Sequence, residues 1–411
     1  MHDLVADECS AIRYIENIIV QLASYYGYEE IRTPILEDTN LFARTLGDCT
    51  DIINKEMYSF NDRNKQLVSL RPEGTAGVVR AGLQHGLFYN QNKAFWYMGP
   101  MFRRERPQKG RLRQFHQFGI ELVGCDSIFA EVELISFCYH LWQKLNLHDI
   151  VLEINTLGSN EDRSSYKQAL VHYFNSVKDQ LTQEEQITLT QNPLRLLDSK
   201  AVHLQHLIKQ APKMMDYYAQ ETLDKFQQFT TALNSLNINY THNPYLVRGL
   251  DYYNDIVFEW TTNKLGSQGT VCAGGRYNSL VAQLNNDMKN LDSYHAAGFA
   301  IGLERLASLV DLSTVNEVKK IIVICEDNLL KNKYAFTLRQ QVSNVKIICD
   351  YRSSSIKSQL KKAIKANIDF AIVVKDANTC EFKYLKSNKL SILASVQDCV
   401  DGILTGEYIN V

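Results

Sequence analysis

The residues with the clearest capacity for chemistry form a basic stretch between two apolar segments. Phe102–Phe115 contains five arginines and one lysine, and Gly110 interrupts the run. A charge run of this kind is usually a solvated surface. Arginine, however, offers planar, bidentate donors that fit phosphate and can stack on a base, and a glycine suits a hairpin tip that approaches a polyphosphate. The stretch therefore favours a phosphate or nucleic-acid site.

Four further segments combine polar side chains with glycine, and each also has a simpler explanation. Leu70–Ala76 groups a carboxylate, a glycine and a hydroxyl after a proline, which is also how a helix is capped. Leu246–Asn254 places an arginine, an acid and two tyrosines around a glycine, which equally fits a turn with buried aromatics. Gly269–Tyr277 has a glycine pair that allows either close approach to a ligand or a tight turn. Ala297–Leu306 predicts a strand that enters a helix, and any one segment alone is weak support for a site.

Motifs that hold nucleotides or metals in other folds do not occur. The sequence has neither a Gly-x-x-x-x-Gly-Lys-Ser/Thr loop nor a Gly-x-Gly-x-x-Gly loop, so neither device would hold a bound nucleotide. Histidine and cysteine show no regular ligand spacing, and no protein metal ligand is predicted. His2, His85, His116 and His295 are interpreted as structural or surface residues.

Several elements must position these segments. Apolar residues at helical spacing predict a first helix that stops at Gly27, and Tyr28–Leu36 predicts a strand. Pro34 cannot donate to a ladder, so this strand is expected at a sheet edge or an oligomer interface. Residues 65–125 contain short β-rich runs with too few residues between them for a crossover helix. They predict antiparallel pairing rather than a doubly wound sheet.

The rest of the chain predicts an insertion and a separate C-terminal domain. From Ser159 to about Gln228 the sequence is polar and helix-forming and begins with a capping box, which predicts an inserted helical domain. Strand-like sequence returns with Asp255–Trp260, and the core is expected to close near residue 315. Beyond it, apolar runs alternate with helical segments, as in a small α/β domain. The predicted domains are 1–158, 159–228, 229–315 and 316–411.

Composition limits the class of protein. The 411 residues are 45% hydrophobic and 22% charged, which excludes a disordered chain. No apolar run is long enough to cross a bilayer, so no membrane partner is expected. Nine cysteines without a Cys-x-x-Cys pair suggest reduced thiols in the cytoplasm. The net charge of -2 neither predicts nor excludes a nucleic-acid partner, because local clusters matter more than the sum.

Taken in order, these segments resemble a known family. The basic hairpin and the Gly302–Arg305 helix are similar to motifs 2 and 3 of class II aminoacyl-tRNA synthetases, and Gly27–Pro34 is similar to their motif 1 dimer segment. Leu246–Tyr253 and Ala273–Tyr277 resemble the two signature segments of the histidyl-tRNA synthetase family. The resemblance covers essentially the whole chain. It departs from the family at the start, which lacks an Arg-Gly or Lys-Gly pair, and at Val373–Asp376, which follows the pattern only loosely.

The resemblance implies an α+β fold with a class II antiparallel sheet core flanked by helices, a helical insertion and a C-terminal α/β anticodon-binding domain. It also implies a homodimer that uses ATP, with Mg²⁺, to join L-histidine to tRNA(His) through a histidyl-adenylate. One alternative is a non-catalytic, histidine-sensing regulatory paralogue, which is expected to lack the anticodon-binding domain and to have eroded signature segments. A general RNA-binding protein would explain the basic hairpin but not the pocket residues.

The same resemblance implies a role for individual residues. Arg103 would hold the α-phosphate of ATP, and Arg248 would be a fixed cation between that phosphate and the histidine carboxylate. Arg111 and Arg305 would grip the outer phosphates and the adenine side. Magnesium would be bound chiefly by phosphate oxygens and water. Histidine would be bound at its ammonium group by Glu73, Thr75 and Gln117, at its imidazole by Glu121, Tyr253 and Tyr277, and within a pocket that includes Tyr252.

Overall fold

The protein divides into two compact units, Met1–Val310 and Asp311–Val411. The boundary predicted at residue 315 lies outside the described residues, and the division into four domains stays a prediction. The computed structural model describes residues 2–47, 50, 52–88, 91–105, 110–199, 201–266, 269–285, 294–312, 318–343, 345–352, 354–386 and 391–408.

The first unit combines a large sheet with helices on both of its faces. Its helices, α1 to α10, are Asp7–Tyr25, Thr39–Leu46, Thr75–Gln84, Phe129–Lys144, Asn160–Ser176, Gln183–Gln191, Val202–Gln210, Gln220–Ser235, Asn278–Leu284 and Leu303–Ala307. Its strands, β1 to β11, are Glu29–Glu30, Leu36–Asp38, Tyr58–Asn61, Leu67–Leu70, Lys93–Phe102, Gln114–Val123, Val151–Thr156, Tyr240–His242, Ile256–Thr261, Thr270–Arg276 and Ala296–Gly302. Shorter helical turns are Ile52–Glu56, Lys178–Gln180, Pro193–Asp198, Met214–Tyr217 and Asn263–Leu265.

An eight-stranded sheet in the order β1-β5-β6-β11-β10-β9-β7-β8 forms the centre of this unit. The inner pairs are antiparallel, whereas the outermost pairs, β1 with β5 and β7 with β8, are parallel. In the long β5–β6 hairpin, Lys93 pairs with Val123 and Phe102 pairs with Gln114. Segments that lie far apart in the sequence therefore meet on one sheet, and the expected antiparallel core is confirmed.

The two faces of this sheet are buried in different cores. Phe118 and Ile120 of β6 and Phe258 of β9 pack into one core with α1, α4 and α8. Because side chains alternate along a strand, the neighbouring residues point to the opposite face. There Val123 and Val257 join a second core that includes residues of α2, α3, α9 and the helices between 160 and 210. This second face carries the candidate site.

The stretch predicted as a helical insertion is helical. The capping box predicted at its start is confirmed, because the Ser159 hydroxyl accepts from the backbone N–H of Asp162 and the Asp162 carboxylate accepts from that of Ser159. The last helix, α8, continues to Ser235 and so runs past the boundary predicted at residue 228.

The strand predicted over Tyr28–Leu36 is wrong in its extent. The structure has two short strands instead, β1 and β2, and Pro34 lies in the irregular segment between them. Proline lacks the N–H that a continuous ladder would require, which explains the break. The expected edge position is confirmed, since β1 ends the large sheet and β2 ends a three-stranded sheet in the order β2-β4-β3.

The second unit is a small α/β domain, as expected. Its strands, β12 to β16, are Lys320–Ile324, Lys346–Cys349, Phe370–Val374, Cys380–Tyr384 and Ser391–Ala394, and its helices, α11 to α13, are Asn328–Gln341, Ile356–Lys365 and Val396–Leu404. Its sheet has the order β13-β12-β14-β15-β16, with parallel pairing among the first three strands and antiparallel pairing beyond them. Both faces of β12 and β14 are buried, which explains their continuous apolar runs. Among the described residues of the whole chain, no helix is both long and apolar enough to span a bilayer.

Candidate active site

A cleft lies in the first unit, lined by residues of β6, β10 and β11, of α3 and α10, and of the loops that precede α3, follow β5 and precede β9. Most of the predicted site residues line it together. Glu121 and Tyr277 do not line the cleft, but they are hydrogen-bonded to each other, and Glu121 accepts a hydrogen bond from Thr75, which does line it. The predicted residues that line the cleft are Glu73, Thr75, Arg103, Arg111, Gln117, Arg248, Tyr252, Tyr253 and Arg305.

Strand pairing sets the floor of the cleft. Gln117 and Glu121 lie on the same face of β6, and they pair with Gly302 and Gly298 of β11. A Cβ on Gly298 would lie 1.9 Å from Oε2 of Glu121. The glycine therefore provides the space in which the Glu121 carboxyl group sits.

Glu73 caps helix α3 at the edge of the cleft. Its carboxylate accepts hydrogen bonds from the backbone N–H groups of Thr75, at 2.7 Å, and Ala76, at 2.8 Å. The helix cap proposed as the simpler explanation is thus present, and the same residue also lines the cleft. Burial raises the pKa of Glu73, while the backbone donors and the charge of Arg103 oppose that rise.

Glu121 is the centre of a buried polar cluster. The Thr75 hydroxyl donates to Oε1 at 2.7 Å, and the Tyr277 hydroxyl donates to Oε2 at 2.6 Å. Burial raises the pKa of Glu121 from 4.5 to about 8, and the hydroxyl donors of Tyr277 and Thr75 oppose the rise. The carboxyl group is therefore mostly neutral at pH 7.

Three tyrosines form an aromatic wall beside this cluster. The rings of Tyr252 and Tyr253 lie 4.6 Å apart, and Tyr277 meets Tyr252 edge-on at 5.7 Å. Burial raises the pKa of Tyr253 to about 12, while the charge of Arg248 lowers it. These phenols are therefore neutral hydrogen-bond donors at physiological pH.

The basic hairpin supplies the cationic side of the cleft. Nε of Arg103 donates to the Pro72 carbonyl at 2.9 Å, and its guanidinium lies 5.4 Å from the centre of the Phe115 ring. Arg111 forms an ion pair with Glu105 at 3.0 Å. These contacts hold both arginines at the cleft before any phosphate binds.

Arg305 faces the hairpin from α10. It donates to the carbonyl of Gly110 at 2.7 Å and to that of Thr270 at 2.9 Å. Burial lowers the pKa of Arg305, and the neighbouring charge of Arg111 lowers it further. Neighbouring cations favour the binding of an anion. Arg106–Lys109, the rest of the predicted hairpin tip, lies outside the described residues.

Arg248 is held by a carboxylate and an aromatic ring. Its guanidinium forms an ion pair with Glu259 of β9 and lies 5.7 Å from the centre of the Tyr253 ring. The other carboxylate oxygen of Glu259 accepts a hydrogen bond from the Thr270 hydroxyl at 3.1 Å. The arginine therefore has a defined position at the cleft wall.

Comparison with known proteins identifies the family. A family profile described as histidyl-tRNA synthetase matches residues 1–306. The chain belongs to the histidyl-tRNA synthetase family. It is 46% identical over 378 residues to the histidine–tRNA ligase of Psychrobacter sp. (strain PRwf-1), an alignment that covers 88% of this chain and 86% of that relative.

Solved structures of histidyl-tRNA synthetases have the same fold. The apo enzyme of S. aureus is 32% identical and superimposes with a TM-score of 0.77 over 98% of this chain and 97% of its own. A protein of Bacillus halodurans C described as an ATP phosphoribosyltransferase regulatory subunit/histidyl-tRNA synthetase matches with a TM-score of 0.65 at 18% identity, over 92% of this chain and 97% of its own. That lower similarity shows the shared fold alone.

The site of this family member contains two residues that the sequence did not single out. Glu259 holds Arg248, and Tyr97 of β5 lies buried between Gly74 and Gly119, where either glycine would clash with its ring if it carried a Cβ. The sequence did offer a signal for Tyr97. Side chains alternate along a strand, so Tyr97 of β5 and Arg103, which follows β5, fall on the same face if the extended backbone continues. No comparable signal marks Glu259 as the partner of Arg248, because ion-pair partners are set by the tertiary fold.

The donors at the cleft suit a phosphate-bound metal better than a protein-bound one. Over the ranges that the structure describes, no cluster of three or more His, Cys, Asp and Glu side chains could hold a metal ion. The carboxylates of Glu105 and Glu304 do line the cleft, but Glu105 pairs with Arg111 and Glu304 accepts from His116 at 2.8 Å. A cation entering with a polyphosphate would therefore keep mainly phosphate and water ligands.

Proposed function

We propose that this chain ligates L-histidine to tRNA(His) in an ATP-dependent reaction through a histidyl-adenylate. The observation that supports it best is one cleft lined by arginines, with the buried carboxyl group of Glu121 hydrogen-bonded to Thr75 of its lining. Arg103, Arg111 and Arg305 suit the phosphates of ATP, and Glu121 suits a ligand with its own nitrogen donors and acceptors. The 46% identity to a histidine–tRNA ligase supports the same assignment.

In the first step, a carboxylate oxygen of histidine attacks the α-phosphorus of ATP, and the bond from that phosphorus to the pyrophosphate oxygen breaks. Arg103 binds the α-phosphate, and Arg248 lies between it and the attacking carboxylate. Both stabilise charge that grows in the transition state. No protein nucleophile is required, because alignment of bound reactants can contribute about 7–11 kcal/mol.

In the second step, the 3′-terminal ribose hydroxyl of tRNA attacks the carbonyl carbon of the adenylate. The ester forms, the hydroxyl proton is released, and AMP leaves.

Arg111 and Arg305 bind the outer phosphates and the adenine side of ATP in the first step. Magnesium that accompanies ATP supplies charge neutralisation at these phosphates.

Recognition of histidine rests on the buried cluster around Glu121. Glu73, Thr75 and Gln117 bind the ammonium group, and Glu121, Tyr253 and Tyr277 surround the imidazole. An amino acid without ring nitrogens would make no hydrogen bonds to these polar groups, and sites of this kind can discriminate by about 10⁴–10⁵ without editing. Tyr252 completes the pocket wall.

We also propose that the protein acts as a homodimer in the cytoplasm and that residues 316–411 bind the anticodon. The three-stranded sheet and the loop before β2 expose apolar side chains that suit an interface between copies. The second unit is a folded α/β domain, as an anticodon-binding domain would require. The exposed apolar residues are Ile35, Leu36, Phe60 and Leu67.

The alternative is a histidine-sensing regulatory paralogue that does not charge tRNA. Such a protein is expected to lack the anticodon-binding domain and to have eroded signature segments. This chain has a second unit, and Arg103, Arg248 and Arg305 all line the cleft. These features favour the ligase.

Histidine-dependent ATP–pyrophosphate exchange tests the proposal directly. The purified chain is assayed with ATP, magnesium and each of the twenty amino acids in parallel. Exchange with histidine alone supports the ligase and its specificity. Histidine binding without exchange would instead favour the regulatory paralogue.

A further inference from the structure

The acid in the segment that carries Arg248 has no role in the proposed chemistry. Asp251 does not line the cleft, yet it bonds to residues far from it in sequence. Its carboxylate forms an ion pair with Arg195 at 2.9 Å and accepts a hydrogen bond from the Asn192 side chain at 3.0 Å. Asn192 and Arg195 belong to the helical stretch after β7, so this stretch holds the segment at Asp251.

The same helical stretch holds the segment at a second point. Arg163 of α5 donates to the backbone carbonyl of Tyr253 at 3.0 Å. Burial lowers the pKa of Arg163, although the charge of Asp255 opposes that shift. The Arg163 side chain is half-buried at this contact. Two arginines from two different helical elements therefore hold residues 251 and 253.

Packing makes the connection continuous. Leu246, Val247, Tyr252 and Tyr253 belong to the same apolar core as the buried residues of α5, α6 and α7. Protein cores are close-packed, so they transmit a displacement rather than absorb it. A shift of the helical stretch would therefore move the residues on either side of Arg248.

We propose that Arg195 is a positioning residue for Arg248 and Tyr253, acting through Asp251. The proposal rests on the proposed function for its kinetic consequence, because Arg248 matters only if it meets the histidine carboxylate and the α-phosphate. Arg195 itself touches neither the cleft nor a substrate. Its ion pair fixes one end of a short segment whose other positions contact the reactants.

The test compares Arg195→Met, Asp251→Asn, the double variant and the conservative Arg195→Lys. The kcat of histidine-dependent exchange, normalised to active sites by the adenylate burst, should fall by about 10- to 100-fold in Arg195→Met. The KM for ATP should stay within about twofold, because the outer phosphate contacts are intact. Arg195→Lys should recover much of the lost rate. The double variant should be no slower than the slower single variant, since both remove one interaction.

The control is His203→Gln in the same helical stretch. His203 pairs with Glu185 at 3.0 Å and makes no described contact with the segment, so exchange should be unchanged. A normalised kcat unaffected by Arg195→Met, or losses that multiply in the double variant, would overturn the proposal.

A second measurement separates this proposal from the proposed function. Amide hydrogen exchange of residues 246–254 should accelerate in Arg195→Met and remain unchanged in His203→Gln, whatever reaction the protein performs. Equal protection of these amides in Arg195→Met and wild type would overturn the positioning role. Amide hydrogen exchange could be faster in Arg195→Met than in wild type while the wild-type protein catalyses no pyrophosphate exchange with any amino acid. That result would count against the ligase and support the positioning role.

Discussion

Arg248 illustrates how single residues prepare the cleft for charge. Its guanidinium is held between the Glu259 carboxylate and the Tyr253 ring, so its position does not depend on a bound substrate. Reorganisation during the reaction is then small, which is the condition under which a fixed charge stabilises a transition state most. The ion pair also offsets the cost of placing a cation where it is largely shielded from water.

Arg248→Ala should reduce the rate of adenylate formation by about 10²–10³-fold, because a fixed cation aimed at developing charge is lost. The rate is measured in a single turnover with histidine and ATP. Circular dichroism and the oligomeric state should match wild type. Arg13→Ala removes an exposed arginine of the first helix and serves as the control. Wild-type activation in Arg248→Ala would refute its role.

Glu121 gives stability a pH dependence of defined sign. Its pKa is 4.5 in the unfolded chain and about 8 in the fold, so the folded state binds the proton more tightly. This contribution is fully present below pH 4.5 and is lost as pH rises through about 8. Glu121→Gln carries no such proton. Between about pH 6 and about pH 8, wild type should lose on the order of 2 kcal/mol more unfolding free energy than the variant.

Urea unfolding at the two pH values measures this difference. The exposed carboxylate of Glu8 provides a control, because Glu8→Gln should leave the wild-type pH dependence in place. Equal losses of stability in wild type and Glu121→Gln would mean that Glu121 does not retain its proton in the fold.

At the scale of elements, the sequence predicted the type of an element better than it predicted where a strand begins and ends. The helix stop at Gly27 agrees with the structure, where this glycine has a φ of 72°, and the strand-to-helix passage after residue 295 is present. The sequence predicts one strand over Tyr28–Leu36, whereas the structure has two short strands. Local preference does not reveal where a pairing partner ends, and here partners on two different sheets divide the segment.

The candidate site shows the same division between local and tertiary information. Glycines, arginines and tyrosines in short segments were visible in the sequence, and most of those predicted lie around one cleft. The residues that hold these groups in place were not visible in the sequence. Glu259 pairs with Arg248, and Arg195 pairs with Asp251, because the fold brings them together. Sequence pattern thus indicated the groups that could contact a substrate better than the groups that hold them.

The pairing of β6 with β11 predicts the effect of a single methyl group. In Gly298→Ala the added Cβ would lie 1.9 Å from Oε2 of Glu121 and 2.5 Å from the Ile120 carbonyl oxygen, so the Glu121 side chain and the backbone of β6 or β11 must both move. The variant should lose about 1–3 kcal/mol of stability. The KM for histidine should rise by about tenfold, because each 1.4 kcal/mol of lost binding is one such factor.

Thermal unfolding and the KM in pyrophosphate exchange check both expectations. Gly86→Ala is a matched control, because its Cβ meets nothing within 4 Å although its φ of 64° disfavours alanine. It should be destabilised by about 1–2 kcal/mol with an unchanged KM. An unchanged KM in Gly298→Ala would show that the glycine is not needed for the histidine pocket.

At the scale of the whole molecule, the two units divide the proposed work. The first unit has its own apolar cores and contains the cleft. The second unit has separate cores on the two faces of its own sheet. Each unit therefore contains the burial that folding requires, and the described residues that line the cleft all precede residue 310.

A chain that ends at Val310 should therefore retain histidine activation and lose efficient tRNA charging. Histidine-dependent pyrophosphate exchange should remain within about tenfold of wild type, because the cleft keeps its residues and its core. Aminoacylation of tRNA(His) should fall by about 100-fold or more, because each 1.4 kcal/mol of lost tRNA binding is a factor of ten. Both rates are measured on the same preparation, with a thermal melt to establish that the shortened chain is folded. If charging and activation fell by the same factor in a folded chain, the second unit would act through the cleft rather than through the tRNA.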